Sequence, residues 1–123
     1  MDPLLEKIAL VVDDSEVNRK VLAAYLDRFG FTVKTAGDAE EGLLLFREHY
    51  PSLVFLDIVM PKISGIELLR KIKAIDPSTI VVMISAYVSK QTIQEAKEAN
   101  ADWFLMKPFT GEKIQELIHR FEV

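Results

Sequence analysis

The chain has 123 residues, half of them hydrophobic and 28% charged, which suits a single soluble domain large enough to bury a core. Fifteen basic against nineteen acidic side chains give a net charge of −4, a balance that argues against nucleic acid as a direct partner, and the lack of cysteine excludes disulfides and thiolate metal sites. The polar start Met1–Lys7 is not a signal peptide and the apolar runs, Ile80–Ile84 among them, are too short to cross a bilayer, so no membrane partner and a cytoplasmic location are expected.

Lys7–Val12 reads as a short buried strand, followed by Asp13-Asp14 and by Ser15 as the N-cap of a helix. Val17, Val21, Leu22, Tyr25, Leu26 and Phe29 recur at helical spacing, and Gly30 ends that helix. Phe31–Thr35 alternates like an exposed edge strand. Asp38 with Glu41 resembles a capping box, opening a helix that carries Leu43, Leu44 and Phe46 and stops before Pro51. Leu53–Leu56 is apolar at every position, as in a strand buried on both faces. Asp57 stands where this strand should end, and Pro61 keeps a helix from starting at once. Ser64 and Glu67 begin the next helix, through Ile66, Leu69, Ile72 and Lys73, and Asp76-Pro77 closes it. Thr79–Ile84 is the most β-branched run, with Ser85 at its tip. Ser89 starts a weaker helix, Gln91–Ala99, with Ile93 as its one large apolar residue and Asn100 as a left-handed stop. Asp102–Met106 is a last short strand, interrupted by Lys107-Pro108, and Thr110 opens a helix with Ile114, Leu117, Ile118 and Phe121 along one side. His49 and His119 are assigned no role.

Five strand-then-helix units predict one doubly wound (βα)5 domain over residues 1–123, an α/β fold with a parallel sheet and right-handed crossovers. In such a sheet the carboxyl ends of all strands open on one edge, where ligands bind. Four of the five strands end there in a residue with chemical capability: Asp13 and Asp14, then Asp57, Ser85 and Lys107. Each has a plain reading on its own. The acids can be turn residues or a helix entry, Ser85 a turn residue, and Lys107 a solvated charge. Their coincidence on one edge favours a site. Three crowded carboxylates need a cation, and an all-oxygen donor set suits Mg²⁺. Metal, lysine and hydroxyl together can hold the peripheral oxygens of a phosphoryl group, with Asp57 as the nucleophile.

The ordered set Val-Val-Asp13-Asp14, Leu-Asp57-Ile-Val-Met60-Pro61, Ser64-Gly65, Ile-Ser85-Ala86 and Lys107-Pro108-Phe109 resembles the receiver domain of two-component response regulators, the CheY-like family. The resemblance covers essentially the whole chain and implies strand order 2-1-3-4-5. It implies that Asp57 accepts a phosphoryl group from a histidine kinase or histidine phosphotransfer protein. Asp13, Asp14, Asp57 and the Val59 carbonyl would form the Mg²⁺ site, with Asp13 acting largely through bound water. Ser85 and Lys107 would contact the phosphoryl oxygens, Phe104 would be the switch aromatic paired with Ser85, and the Lys107-Pro108 bond would be cis. Val59 and Tyr87 occupy the positions that tune access of water to the acyl phosphate. Val59 stands where a polar residue is frequent, Phe104 replaces the usual tyrosine, and Asn100 replaces a usual glycine.

Phosphorylation is expected to shift the face made by the helix 91–99, the last strand and the last helix, which would signal to a downstream protein target or output domain. A homodimer of the phosphorylated form is left open. Trp103 is a candidate partner contact on that face, with a partly covered structural role as the other reading. The chain is read as a phosphoacceptor, not an enzyme beyond gaining and losing its own phosphoryl group. One alternative is a haloacid-dehalogenase-like Mg²⁺ phosphatase, which expects Asp-x-Asp after its first strand where Asp13 and Asp14 are adjacent here. A flavodoxin-like carrier would need a Gly, Ser or Thr phosphate cradle in place of those acids. A docking pseudo-receiver would not need the acids at all. With no output domain in the sequence, a stand-alone receiver and a fragment of a larger regulator both fit.

Overall fold

The computed structural model describes residues 6–87 and 89–121, so the first five residues of the start discussed above lie outside it. It contains strands β1 (Ile8–Val12), β2 (Thr32–Ala36), β3 (Leu53–Asp57), β4 (Ile80–Ser85) and β5 (Trp103–Met106). Between and after them run helices α1 (Glu16–Arg28), α2 (Ala39–His49), α3 (Gly65–Ile75), α4 (Lys90–Glu98) and α5 (Gly111–Phe121). All strand pairings are parallel, in the order β2-β1-β3-β4-β5. β3 lies in the middle, all five of its residues buried, which is why it is apolar up to Asp57.

Alternation along the strands feeds two separate cores. Leu10, Val12, Val54, Leu56, Val81 and Met83 pack with Phe46 of α2, Leu69 and Ile72 of α3, and Ala96 of α4. Ala9, Val11, Leu53, Phe55, Val82 and Ile84 pack with Leu22 and Leu26 of α1 and Ile114 and Leu117 of α5. β2 is the exposed edge expected from its alternation, with only Ala36 buried.

Five helices start on a side-chain oxygen that accepts a backbone N–H three residues on: Ser15 from Asn18, Asp38 from Glu41, Ser64 from Glu67, Ser89 from Thr92 and Thr110 from Lys113. Each such cap satisfies an N–H that the helix itself leaves free. Gly30 and Asn100 take the left-handed conformation, with φ of 88° and 70°. At the end of α2 the left-handed residue is Tyr50, φ 46°, immediately before Pro51.

At the amino edge of the sheet, opposite the acids, Lys73 Nζ donates to Asp102 Oδ2 at 2.7 Å and to the Thr79 carbonyl at 2.6 Å. The same Asp102 oxygen accepts the Val81 N–H at 2.8 Å. This ties the end of α3 to the starts of β4 and β5. Lys73→Met leaves the carboxylate and the carbonyl short of a partner, and about 2 kcal/mol of stability is expected to be lost. Urea unfolding measures this, and an unchanged midpoint would show the network to be idle.

Candidate functional site

The strand carboxyl ends converge as expected. Asp13 is fully buried, Asp57 and Ser85 nearly so, and Asp14 is exposed. Asp13, Asp14 and Asp57 each offer a carboxylate oxygen within 4.8 Å of the others. Lys107 reaches into this group from the end of β5, and its peptide bond to Pro108 is cis. Lys107 Nζ donates to Asp57 Oδ2 at 3.1 Å and lies 2.8 Å from Asp13 Oδ2. The second contact is an ion pair without hydrogen-bond geometry, since among the described residues Asp13 Oδ2 is buried with no hydrogen-bond partner. Asp57 Oδ1 accepts the Val59 N–H at 3.2 Å, which orients the carboxylate at the strand tip.

Loss of water on burial pushes the Asp57 carboxyl up to about 6. The Lys107 hydrogen bond pulls it down, the Asp13 charge pushes it up, and the Lys107 charge and the Val59 N–H pull it down again. Burial likewise pulls the Lys107 ammonium down, but Asp13 and Asp57 outweigh it and its pKa ends above the ordinary lysine value. One lysine thus faces two buried acids with a third beside them, an arrangement short of positive charge. The donor set fits a hard divalent cation: carboxylate oxygens only, one of them buried without a hydrogen bond.

Ser85 stands at the end of β4 next to β3, but its hydroxyl is engaged locally. It donates to the Tyr87 carbonyl at 2.6 Å and accepts the Tyr87 N–H at 3.2 Å. Phe104 is half-buried and lines a cavity of about 60 Å³ with Ile58, Met83, Ser85, Ile93 and Met106. Val59 and Tyr87 are 69% and 78% exposed, so both side chains stand in solvent, Val59 beside Asp57 and Tyr87 beside Ser85. Trp103 faces the other side of the sheet. The Arg120 guanidinium lies 4.4 Å over its ring and Phe121 packs edge-on at 6.0 Å, so the last turn of α5 covers it. Met106, half exposed at the end of β5, drew no attention in the sequence, because a lone methionine in a strand carries no signal.

Three further residues shape the site, of which only Gly65, in the Ser64-Gly65 pair, belongs to the motifs of the resemblance. Arg19 Nη1 donates to the Asp13 carbonyl at 2.7 Å. Gly37 lies against that guanidinium, where a Cβ would stand 3.4 Å from Nη1. Gly65 lets the start of α3 approach the end of β3, its N–H donating to the Ile58 carbonyl at 3.0 Å.

Comparison with known proteins gives a consistent picture. The family described as response regulator receiver domain matches residues 9–119. The chemotaxis protein CheY of Bacillus subtilis is 34% identical over 112 residues, covering 90% of this chain and 93% of that protein. The probable C4-dicarboxylate response regulator DctR of the same organism is 34% identical over 94% of this chain, which spans about half (52%) of that longer protein. Among solved structures, the CheX-CheY-BeF3-Mg complex from Borrelia burgdorferi contains a chain that superposes with a TM-score of 0.87 at 34% identity, covering 94% of this chain and 89% of that one.

Proposed function

Because this chain belongs to the response regulator receiver domain family, we propose that Asp57 is the residue at which it is phosphorylated and that residues 1–123 act as one receiver unit. The observation that carries this reading is the Lys107 ammonium held between the Asp57 and Asp13 carboxylates. A carboxylate oxygen of Asp57 attacks the phosphorus of a phosphohistidine on a histidine kinase or phosphotransfer protein. An O–P bond forms, the P–N bond breaks, and its electron pair returns to the imidazole. Both Asp57 oxygens keep a free lone pair for this, since each accepts one hydrogen bond here. The Val59 N–H holds the carboxylate toward the open edge, and Lys107 is already in place for the charge that develops on the phosphoryl oxygens.

Asp13, Asp14, Asp57 and the Val59 carbonyl would hold Mg²⁺. When bound it supplies positive charge against the three acids and the incoming phosphoryl oxygens. To reach the phosphoryl group, the Ser85 hydroxyl must leave the Tyr87 carbonyl, which frees the turn leading into α4. α4 is loosely held, with Ala96 its one buried residue, and the cavity beside Phe104 gives the ring room to move. The output surface is then α4, β5 and α5, including Met106 and the Trp103–Arg120–Phe121 cluster, read by a downstream protein or output domain. A protein complex among the structural neighbours supports partners of that kind. The chemistry is confined to gain and loss of the domain's own phosphoryl group. Nothing favours a phosphatase, and the converging acids count against an unphosphorylated docking domain.

Incubation with acetyl phosphate and Mg²⁺ tests the reading. Intact mass of the wild type should rise by one phosphoryl group, Asp57→Asn should show no gain, and amide exchange should change in α4 and β5 of the wild type alone. Phosphorylation of Asp57→Asn to the wild-type extent would refute it.

A further inference from the structure

Asp13 follows Val12, the last paired residue of β1, so its carbonyl points out of the sheet ladder with no strand to receive it. The residue is fully buried, and a buried carbonyl without a partner is costly. Arg19, one turn into α1, supplies the partner through its 2.7 Å hydrogen bond. Asp13 is thereby held at four points. Its N–H donates to the Ala36 carbonyl at 3.1 Å, its carbonyl accepts from Arg19, Oδ1 accepts the Ser15 N–H at 2.9 Å, and Oδ2 pairs with Lys107.

Arg19 does not neutralise the acids in contact. None of the ion pairs among the described residues uses its guanidinium, which is committed to a backbone oxygen. It lies against the next strand's turn, where Gly37 follows Ala36 and a Cβ would come to 3.4 Å from Nη1, so that a branched side chain would crowd it. The Gly37 N–H in turn donates to Glu41 Oε2 at 3.3 Å. The guanidinium therefore joins the end of β1, the first turns of α1 and the turn before α2, and the Asp13-Asp14 turn rides on that junction.

We propose that Arg19 is a positioning residue of the acidic pocket, fixing the Asp13-Asp14 turn so that both carboxylates face Asp57 and setting the pocket's affinity for a divalent cation. This rests on the cation-binding reading of the acids given above. Groups that orient metal ligands through a hydrogen bond typically change affinity by about 10- to 100-fold when removed. Arg19→Met should weaken Mg²⁺ binding to that extent in calorimetric titration of the chelator-treated protein. Arg19→Lys, which keeps a donor but loses the planar fork, should fall between the two. In the Mg²⁺-free proteins, the amide resonances of Asp13 and Asp14 should move in Arg19→Met while those of β4 and β5 stay. Gly37→Val, which crowds the guanidinium from the other side, should weaken Mg²⁺ in the same way and carries the test if Arg19→Met does not fold. Folded variants that bind Mg²⁺ as tightly as the wild type would overturn the role of Arg19 and leave the cation site standing. A wild type that takes up no Mg²⁺ would overturn both.

Discussion

Replacing Gly65 with alanine is expected to destabilise the fold by about 3 kcal/mol or more and to cost most of the phosphorylation at Asp57. A methyl group built on Gly65 would overlap the Asp57 carbonyl oxygen, and it would stand 2.8 Å from the carbonyl carbon and 3.1 Å from Ile58 Cα. These are backbone atoms of the central strand's end and cannot swing aside like a side chain. Either α3 moves outward, losing the Gly65 N–H bond to Ile58, or the tip of β3 moves and carries the Asp57 carboxylate away from Lys107. Gly42→Ala is a useful contrast, because the atoms it would crowd most closely are Val12 and Leu68 side-chain methyls of the core, so its cost falls on packing and not on the Asp57 backbone. Urea unfolding with intact mass after acetyl phosphate treatment measures both effects. A Gly65→Ala protein with wild-type stability and full phosphorylation would show that the close approach is not needed.

Lys107→Met should lower stability in Mg²⁺-free buffer by about 3 kcal/mol at mildly alkaline pH, and the loss should shrink toward acid. The folded-state pKa of Asp57 is about 6, above its ordinary value of 3.8. A carboxyl raised in this way leaves the fold most stable below the ordinary value and removes stability as pH climbs through the folded one. The Lys107 hydrogen bond and charge both hold that pKa down, so without them it rises further and the ionised form costs more. Asp13, fully buried, loses its counter-charge in the same substitution. The deficit relative to the wild type therefore widens from about pH 5 to about pH 8. Mg²⁺ should narrow it by supplying charge to the same acids. A deficit that is constant with pH and indifferent to Mg²⁺ would mean that only the packing of the lysine stem had been lost.

Much of this molecule was legible from its residues in order. The five caps, the helical spacing on α1, α3 and α5, and the alternation of β2 are set by neighbours within about four positions, and they stand as read, within a residue or two at the ends. Strand continuity and crossover length led to the parallel sheet, and from the sheet to convergence of Asp13, Asp14, Asp57 and Lys107 on one edge. The resemblance added strand order and roles. What was not legible depends on contacts between elements distant in the chain. Nothing in the spacing or motifs around Arg19 or Gly37 marks either residue. Gly65 stood out only as part of the Ser64-Gly65 pair, with no sign of its close approach to the end of β3. The hydrogen bond of the Ser85 hydroxyl to the Tyr87 carbonyl had no sign in the sequence either.

Trp103 makes the same point from the other side of the sheet. Its size left a partner anchor and a partly covered structural residue both open, and how much of such a ring faces solvent depends on where the following helix ends: α5 lays Arg120 and Phe121 against it and leaves it half-buried. The sequence alone determined which elements form, which faces of them are apolar, and which chemically capable residues lie at the strand tips, because those follow from local backbone preference and side-chain period. Only the tertiary structure decided which groups touch. A hydrogen bond is made or lost over a few tenths of an ångström, and that distance is set by helices and strands packed against one another, not by spacing along the chain.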